Sequence, residues 1–416
     1  MKASQRVRSL KPSATLAVNQ RAAELRGEGV AVLSFAAGEP DFGTPEPIVE
    51  SAIVGLQAGL TRYGPVPGTP EARSLIAERM SRVNGIPNVT PDHVVISSGG
   101  KHSLYLLFQA LLDPPATGEG PAEVLLPVPA WVSYRPQIEL AGGAVVEMPT
   151  SAEADFKITP EQLRNAITPR SRVLVINSPS NPCGTMYTPD ELRAIGDVVR
   201  EAAATVAPDL VVISDELYER IIFGGIDHFS IGSIPEIAER VITVNGLSKA
   251  YAMTGWRIGY FAGSGAFGLE IAGGVKRLQS QSTTSVPTFL MPSVKAALEE
   301  CDAEVERMRS AFAQRGAVMH ELISAIPGLV CPTPTGAFYV FPDVSSHFGT
   351  TSSGGAGIES AMDFASALLN EQHVAVVPGE DFGAGGERCV RISFACSEEQ
   401  IREGAKRIAA FVAGLS

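Results

Sequence analysis

Short runs of aliphatic and β-branched residues recur along the chain before residue 250, and segments with helical periodicity separate them. The runs are too short for helices and are apolar throughout, so both faces of each predicted strand are expected to be buried. Strands and helices in this alternation predict an α/β fold with a largely parallel sheet covered on both faces. The predicted strands are Val94–Ser97, Val124–Leu126, Val173–Ile176, Leu210–Ser214 and Val241–Val244.

The pattern changes after about residue 300. A long helical stretch from Glu304 to Ile323 precedes a predicted strand at Ala337–Phe341, a Ser/Gly-rich surface loop (345–357) and a mixture of short strands and helices. This order is typical of a smaller α+β domain. We expect an N-terminal arm with part of the small domain (1–47), a large domain (48–300) and a small C-terminal domain (301–416).

The balance of charges restricts the classes of partner. The 416 residues carry a formal net charge of −12, whereas nucleic acid and anionic membranes require clustered Lys and Arg, so neither is expected as a partner. The five cysteines are scattered and have no CxxC spacing, which indicates reduced thiols in a cytoplasmic protein and no metal site. Neither a signal peptide nor a membrane span is predicted.

Lys249 lies in the segment Asn245–Arg257, between small residues and eight positions before an arginine. A lysine in this setting can form a Schiff base with an aldehyde cofactor, and Arg257 can hold the phosphate of that cofactor. This pairing is what pyridoxal phosphate (PLP) chemistry requires. A Ser-Lys pair alone is common, so the interpretation depends on matching residues elsewhere in the chain.

Other candidate residues follow the predicted strands, where open α/β sheets place their ligands. The glycines of the Ser98–Lys101 turn let backbone N–H groups approach an anion, although an ordinary strand–helix turn explains them equally well. The indole of Trp131 could stack on a pyridine ring, although core packing is the commoner role of a lone tryptophan.

Two further strand ends carry polar groups that suit a pyridine ring. Asn181 lies in a turn with two prolines that can aim its amide at a phenolate oxygen. Asp215 could pair with a pyridinium nitrogen, and Tyr218, three residues on, could reach the ring oxygen, although an Asp-Glu pair alone is usually part of a solvated turn. Arg391 alternates with apolar neighbours on a strand. Such an arginine is usually a surface charge or part of an ion pair, but in the domain cleft its planar fork would suit a carboxylate bidentately.

In their order and spacing, these residues give the chain a family resemblance. The chain resembles the fold-type I PLP-dependent aminotransferases of the aspartate aminotransferase family, in the bacterial subgroup that includes aspartate/prephenate aminotransferases. The resemblance implies a large domain with a mostly parallel seven-stranded sheet and a smaller α+β domain. It is carried by Lys11–Thr15, Ala37–Phe42, Tyr63, Gly99–Lys101, Asn177–Gly184, Asp215–Tyr218, Ser248–Arg257, Val377–Gly379 and Arg391.

The resemblance implies a role for each matching residue. Lys249 would be the Schiff-base lysine and proton shuttle, and Asp215 and Tyr218 would be the other catalytic residues, at the pyridine nitrogen and the ring oxygen. The implied PLP contacts are Tyr63, Gly99, Gly100, Lys101, Trp131, Asn181, Asp215, Tyr218, Ser248, Lys249 and Arg257. The implied substrate contacts are Thr15, Gly38, Lys101, Trp131, Asn181 and Arg391, and Arg391 would hold the α-carboxylate.

The resemblance also implies a homodimer with shared active sites, in which Tyr63 reaches the phosphate bound to the neighbouring subunit. One position departs from the family pattern. Many relatives carry a serine three residues before the lysine, where this chain has Gly246. The phosphate would then depend more on Arg257 and on backbone amides.

The implied reaction moves an amino group between an acidic amino acid, aspartate or glutamate, and a 2-oxo acid, with prephenate as a further candidate. Lys101 and Thr15 match positions that accompany such substrates, but Lys101 could instead assist phosphate binding. The alternatives are a PLP enzyme of another reaction class, such as a C–S β-lyase or an oxidase, and an aminotransferase for neutral or aromatic amino acids. The acidic charge disfavours a DNA-binding PLP sensor.

Overall fold

A computed structural model describes residues 2–10, 14–116, 118 and 120–416, and the side chains of residues 5, 14–17 and 19 lie outside this description. The described residues form fourteen strands and thirteen α-helices. The strands are β1 (Leu33–Ser34), β2 (Val94–Ser98), β3 (Glu123–Val128), β4 (Ala144–Pro149), β5 (Ser171–Asn177), β6 (Val211–Asp215), β7 (Val241–Gly246), β8 (Ile258–Gly263), β9 (Tyr339–Val340), β10 (Thr350–Thr351), β11 (Gly357–Ile358), β12 (Val374–Ala375), β13 (Val377–Pro378) and β14 (Val390–Ser393). The helices are α1 (Gln5–Ser9), α2 (Ala14–Gly27), α3 (Glu46–Gln57), α4 (Pro70–Arg82), α5 (Gly100–Leu111), α6 (Tyr134–Leu140), α7 (Pro160–Ala166), α8 (Pro189–Ala204), α9 (Gly265–Ser280), α10 (Met291–Glu300), α11 (Asp302–Ser324), α12 (Ala361–Gln372) and α13 (Glu398–Ala413).

Seven of these strands form one sheet in the order β2-β8-β7-β6-β5-β3-β4. β8 runs antiparallel to both of its neighbours, and the other pairs are parallel. The predicted α/β fold with a mostly parallel sheet is therefore confirmed, and all five predicted strands are present. The sequence did not indicate β4, because this edge strand is only half-buried and carries Glu147 among its apolar residues.

The central strands are buried on both faces, which explains their uniformly apolar sequences. Val94 and Ile96 of β2 pack into one hydrophobic core, whereas Val95 points to the opposite face and packs into a second core with residues of α5 and α9. A third core joins β5 and β6 to α8. α8 begins with a capping box, in which the Thr188 hydroxyl accepts from the Glu191 N–H (3.3 Å).

The C-terminal part combines the long helix α11 with an antiparallel sheet in the order β13-β14-β9. β1 pairs with β12, so the chain near Leu33 joins this part. The segment 345–357 is not a plain loop, because β10 pairs with β11 and the Ser352 hydroxyl donates to Glu371 (2.5 Å). The domain boundaries at residues 47 and 300 stay a prediction.

Two further findings concern the helices and the cysteines of the chain. Within the described ranges, no helix has both the length and the apolar character that a membrane span requires. All five cysteines are free thiols.

Candidate active site

The polar residues identified from the sequence meet at the carboxyl ends of β5, β6 and β7. Asp215 ends β6 and is paired in register with Asn177, the last residue of β5. Ser248 and Lys249 follow the end of β7, which borders β6 on its other side. Because these parallel strands end at one edge of the sheet, residues that are distant in sequence come together there.

Lys249 presents an amine that loses its proton easily. Its Nζ donates a hydrogen bond to the carbonyl oxygen of Gly38 and lies 5.6 Å from the ring centroid of Phe338. Burial lowers the pKa of the amine to about 8, and the positive charge of Arg391 contributes to this shift. The neutral amine is the form that attacks an aldehyde or accepts a proton, so Lys249 is chemically suited to both tasks.

Asp215 provides a buried carboxylate near Lys249. Its Oδ2 accepts a hydrogen bond from the Tyr134 hydroxyl (2.6 Å), and its Oδ1 accepts one from the Leu217 N–H (3.3 Å). Burial raises the pKa of Asp215, while the two hydrogen bonds and the charge of Lys249 oppose the rise. A carboxylate with so little access to water is stabilised by a cationic ligand such as a pyridinium.

The turn between β2 and α5 has the features of an anion-binding cradle. Gly99 caps α5 with a φ of +85°, and a Cβ at this position would overlap the Arg257 guanidinium, so glycine is required. Arg257 also has a left-handed backbone (φ +58°), which is costly for such a residue, and its Nη2 donates to the carbonyl oxygen of Ser98 (3.3 Å). The helix N-terminus at Gly100 and the Arg257 charge together favour a phosphate.

Arg391 is a buried cation, only 5% exposed, and none of the described carboxylates pairs with it. Its Nη1 donates to Asn181 Oδ1 (3.0 Å) and its Nη2 to the carbonyl oxygen of Ala36 (3.2 Å), whereas Nε donates to no described group. The interpretation of Arg391 as a surface charge is therefore wrong. A buried guanidinium with an unused donor indicates an anionic ligand, because an unpaired buried charge is costly.

Asn181 and Tyr218 are connected to these charged groups. The Asn181 N–H donates to Asn177 Oδ1 (2.9 Å), which fixes the turn that carries the amide. The ring centroid of Tyr218 lies 5.9 Å from Lys249 Nζ, and the Tyr218 hydroxyl lies 3.3 Å from that of Tyr339. Asn181 and Tyr218, the predicted contacts to the ring oxygen of the cofactor, are therefore both buried beside Lys249 and Arg391.

Trp131 and Lys101 are also neighbours. The half-buried Trp131 ring packs edge-on against Tyr134, with centroids 5.3 Å apart, and Lys101 Nζ lies 5.0 Å from the Trp131 ring. Desolvation and the nearby charge of Arg257 lower the pKa of Lys101. Lys101 therefore lies between Trp131, which is predicted to stack on the cofactor ring, and the anion cradle. This position suits a contact to the distal carboxylate of a substrate and equally a contact to the phosphate.

Tyr63 is 91% exposed, so within one chain it is not part of this group. Thr15 lies in α2, but its side chain, like the whole of 11–13, falls outside the described residues.

The donor groups match the parts of PLP. Lys249 offers an amine for an aldehyde, Asp215 a buried carboxylate for a pyridine nitrogen, and the Gly99 turn with Arg257 a cradle for a phosphate. The buried guanidinium of Arg391, which none of the described carboxylates neutralises, supplies a positive charge for the carboxylate of an amino acid. The residues present therefore fit this cofactor and its class of substrate.

Comparison with known proteins decides the family. The sequence model for aminotransferases of class I and II matches residues 30–408. The chain belongs to that family. It is 41% identical to the aspartate aminotransferase of Bacillus sp. (strain YM-2) and 42% identical to the aspartate/prephenate aminotransferase of Cereibacter sphaeroides, in each case over 98% of both chains. The crystal structure of the aspartate aminotransferase from Rhizobium meliloti matches it with a TM-score of 0.92, at 35% identity and full coverage of both chains. The predicted resemblance and fold type are thus confirmed.

The sequence pattern did not indicate two tyrosines of this aminotransferase as site residues. Tyr134 lies three residues after Trp131 and 81 positions before Asp215, to which its hydroxyl donates. Tyr339 lies in the predicted strand after α11, where an apolar run gave no sign of a polar role. Their hydroxyl contacts depend on the tertiary fold, so only the sequence of a relative with known contacts could have indicated them.

Close packing between two strands favours a glycine at position 246, where many relatives carry a serine. Gly246 of β7 pairs in register with Gly259 of β8. A Cβ on Gly246 would lie 3.0 Å from the Gly259 Cα and from the carbonyl oxygen of Ile258. A serine here would require the two strands to shift slightly apart, which the glycine avoids.

A buried polar network lies just beyond the end of β6. Glu216 accepts from the Ser230 hydroxyl (2.7 Å), and Glu219 pairs with Arg79 (2.6 Å). Together with His228, the two carboxylates are spaced as metal ligands could be. The carboxylate oxygens of Glu216 and Glu219 already accept hydrogen bonds from protein donors. The network is therefore explained by its role in holding the residues after β6 in place.

Proposed function

We propose that this aminotransferase binds PLP at Lys249 and moves amino groups between an acidic amino acid, aspartate or glutamate, and a 2-oxo acid. The observation that carries the proposal is the meeting of an amine with a pKa of about 8, a buried carboxylate and a buried guanidinium with an unused donor. The names of the relatives support this substrate class and make prephenate a further candidate acceptor.

Each part of the cofactor has a group to hold it. The phosphate is assigned to the α5 N-terminus and Arg257, the pyridine nitrogen to Asp215, and the ring oxygen to Asn181 and Tyr218. Trp131 is assigned to the ring face. When bound, PLP supplies an aldehyde for the amino group and a protonated ring that takes up the electron pair left at the substrate α-carbon.

The side chains of the protein perform the remaining steps. Arg391 binds the α-carboxylate of the substrate and so orients its α-carbon. Lys249 Nζ, once free and neutral, removes the α-proton as a general base and later returns it as a general acid. Asp215 keeps a negative charge beside the ring nitrogen, which favours the protonated ring.

A panel of amino acids tests the proposal. PLP-loaded protein is mixed with aspartate, glutamate, alanine or phenylalanine, and the cofactor absorbance is followed before and after 2-oxoglutarate, oxaloacetate or prephenate is added. We expect the fastest conversion with aspartate and glutamate, and a return of the starting spectrum with a 2-oxo acid. Release of ammonia or hydrogen peroxide, with no such return, would assign the chain to another reaction class.

The same panel tests the role of Lys101. We propose that its amine binds the distal carboxylate of acidic substrates, because it lies beside Trp131 at the cradle. Lys101→Ala should lower the preference for aspartate over alanine by about ten- to a hundredfold, since only aspartate loses a charge-assisted contact. Lys101→Met, which keeps the side-chain stem over Trp131 without the charge, should give the same loss. An unchanged preference in both variants would leave Lys101 as a phosphate neighbour.

We also propose a homodimer with shared sites. Tyr63 is 91% exposed, yet its loop is fixed because the Thr288 hydroxyl donates to the carbonyl oxygen of Arg62 (2.7 Å). The helix α3 exposes the apolar residues Ile53, Val54 and Leu56. Exposed aromatic and apolar residues of this kind are typical of an interface.

Mixing two inactive variants tests the shared site. Tyr63→Ala and Lys249→Ala chains should each be nearly inactive, but a hybrid dimer contains one site with neither change. After subunit exchange we expect about a quarter of the wild-type activity, because half of the dimers are hybrids with one intact site each. Tyr105→Ala, which removes another exposed tyrosine, is the control for Tyr63. Absence of recovery after verified exchange would mean that each site is built from one chain.

A further inference from the structure

Tyr339 is completely buried, and no step above uses it. It lies on β9, next to β14, which carries Arg391. The Tyr339 ring lies under the Arg391 guanidinium, whose central carbon is 4.7 Å from the ring centroid. Its hydroxyl is 3.3 Å from the Tyr218 hydroxyl. One side chain thus contacts both the proposed carboxylate site and a proposed cofactor contact.

The backbone around Tyr339 is fixed to the loops that carry the other site residues. The N–H groups of Thr335 and Gly336 donate to the carbonyl oxygen of Gly184 (2.8 and 3.0 Å), in the turn that carries Asn181. The Ala337 N–H donates to the carbonyl oxygen of Ile221 (2.9 Å), in the turn after Tyr218. Tyr339 is therefore held in a defined place relative to both turns.

The two hydroxyls are not equivalent. The central carbon of the Arg391 guanidinium lies 4.7 Å from the Tyr339 ring centroid, and its positive charge opposes the rise that burial causes in the pKa of the Tyr339 hydroxyl. A phenol next to a cation is the more acidic and the better donor, which favours Tyr339 as the donor in the 3.3 Å contact. A Tyr218 oxygen that accepts from Tyr339 keeps its own hydrogen free for another acceptor.

We propose that Tyr339 is a positioning residue that links the two halves of the site. Its ring orients the Arg391 guanidinium, and its hydroxyl directs the Tyr218 hydrogen towards the ring oxygen of the cofactor. The inference rests on the proposed function, because it assigns the carboxylate site to Arg391 and the cofactor oxygen to Tyr218.

Two variants distinguish the contact of the Tyr339 ring with Arg391 from the contact of its hydroxyl with Tyr218. Tyr339→Phe keeps the ring and removes the hydroxyl, whereas Tyr339→Leu removes both. Tyr187→Phe is the matched control, since it removes another buried hydroxyl, which accepts from the Ile158 N–H (3.0 Å). The readouts are the dissociation constant for succinate, a dicarboxylate that does not react, and the pKa observed in a pH titration of the absorbance of PLP-loaded protein.

Tyr339→Phe should bind succinate within about twofold of wild type and raise the spectroscopic pKa by roughly half a unit to one unit, because Tyr218 becomes a weaker donor. Tyr339→Leu should also weaken succinate binding about tenfold, because the ring under Arg391 is lost. The control should change neither quantity. Tyr339→Met replaces the leucine variant if that variant does not fold.

An unchanged spectroscopic pKa in Tyr339→Phe, or unchanged succinate binding in the variant without the ring, would overturn the proposal. Equal losses of succinate binding in Tyr339→Phe and Tyr339→Leu would do the same, since they would exclude a role for the ring. Neither readout requires turnover. A wild-type protein that binds PLP and succinate but fails the amino-acid panel would therefore reject the proposed function, and the two readouts would still decide the role of Tyr339 separately.

Discussion

Replacement of Lys249 with alanine is expected to abolish amino transfer while the fold stays intact. General acid–base catalysis alone contributes roughly a hundred- to ten-thousandfold to a rate, and the variant also loses the amine that is proposed to bind the cofactor. We therefore expect the half-reaction with aspartate to slow by about ten-thousandfold or more. The measurement is the absorbance change of PLP-loaded protein after mixing with aspartate, together with the thermal unfolding midpoint.

Chemical trapping provides the control for this prediction. Borohydride reduction of the wild type, followed by peptide mass mapping, should place the cofactor on the peptide that contains Lys249. Lys276→Ala removes another lysine whose pKa is lowered by burial and whose Nζ donates to the carbonyl oxygen of Asp92 (3.2 Å), and it should keep wild-type activity. A reduced adduct on any other lysine would contradict the assignment.

The lowered pKa of Lys249 predicts that the uptake of PLP depends on pH. Only the neutral amine attacks an aldehyde, so uptake of PLP by the apoprotein should be slow at low pH and should rise through a midpoint near pH 8. Burial and the charge of Arg391 cause the low value, and Arg391→Leu should therefore move the midpoint upward. A midpoint near the usual lysine range in the wild type would show that the amine is not desolvated in solution.

The sequence predicted the parts of this molecule that depend on local pattern. Uniformly apolar runs such as Val173–Ile176 indicated buried strands, because such strands need apolar residues on both faces. Asp215 and Lys249 could be placed near each other because both follow strands, and the carboxyl ends of parallel strands share an edge. The family resemblance then supplied expected roles that no single residue could establish.

The parts that the sequence did not predict depend on tertiary contacts. β4 is an edge strand, so its half-buried residues give a weaker pattern than those of the central strands. The hydrogen bond from Tyr134 to Asp215 and the position of Tyr339 under Arg391 join residues that many other residues separate in sequence. Tyr63 lies at the surface of a single chain, so its proposed role requires the proposed homodimer, whose interface no local pattern in the sequence indicates.

Replacement of Asp215 with alanine should slow the half-reaction by several orders of magnitude although Lys249 stays in place. Without the buried carboxylate, the protonated ring nitrogen loses its counter-charge, and the ring takes up electrons from the α-carbon less readily. Breaking a buried charge pair costs about 3–5 kcal/mol, which corresponds to roughly a hundred- to several-thousandfold in rate. The measurement is single-turnover conversion with aspartate, and Asp197→Ala, which removes an exposed carboxylate of α8, is the control.

Removal of the hydrogen bond from Tyr134 should weaken the role of Asp215 without removing its carboxylate. Tyr134→Phe keeps the Asp215 carboxylate but removes the donor at 2.6 Å that opposes the rise of its pKa. Asp215 then takes up a proton at a higher pH, so activity should fall at a higher pH than in the wild type as the solution is acidified. Near neutral pH the loss should be about ten- to a hundredfold, the usual size of one hydrogen bond to a charged group, and smaller than that of Asp215→Ala. Equal losses in Tyr134→Phe and Asp215→Ala would mean that packing around Tyr134, and not the charge of Asp215, controls the rate.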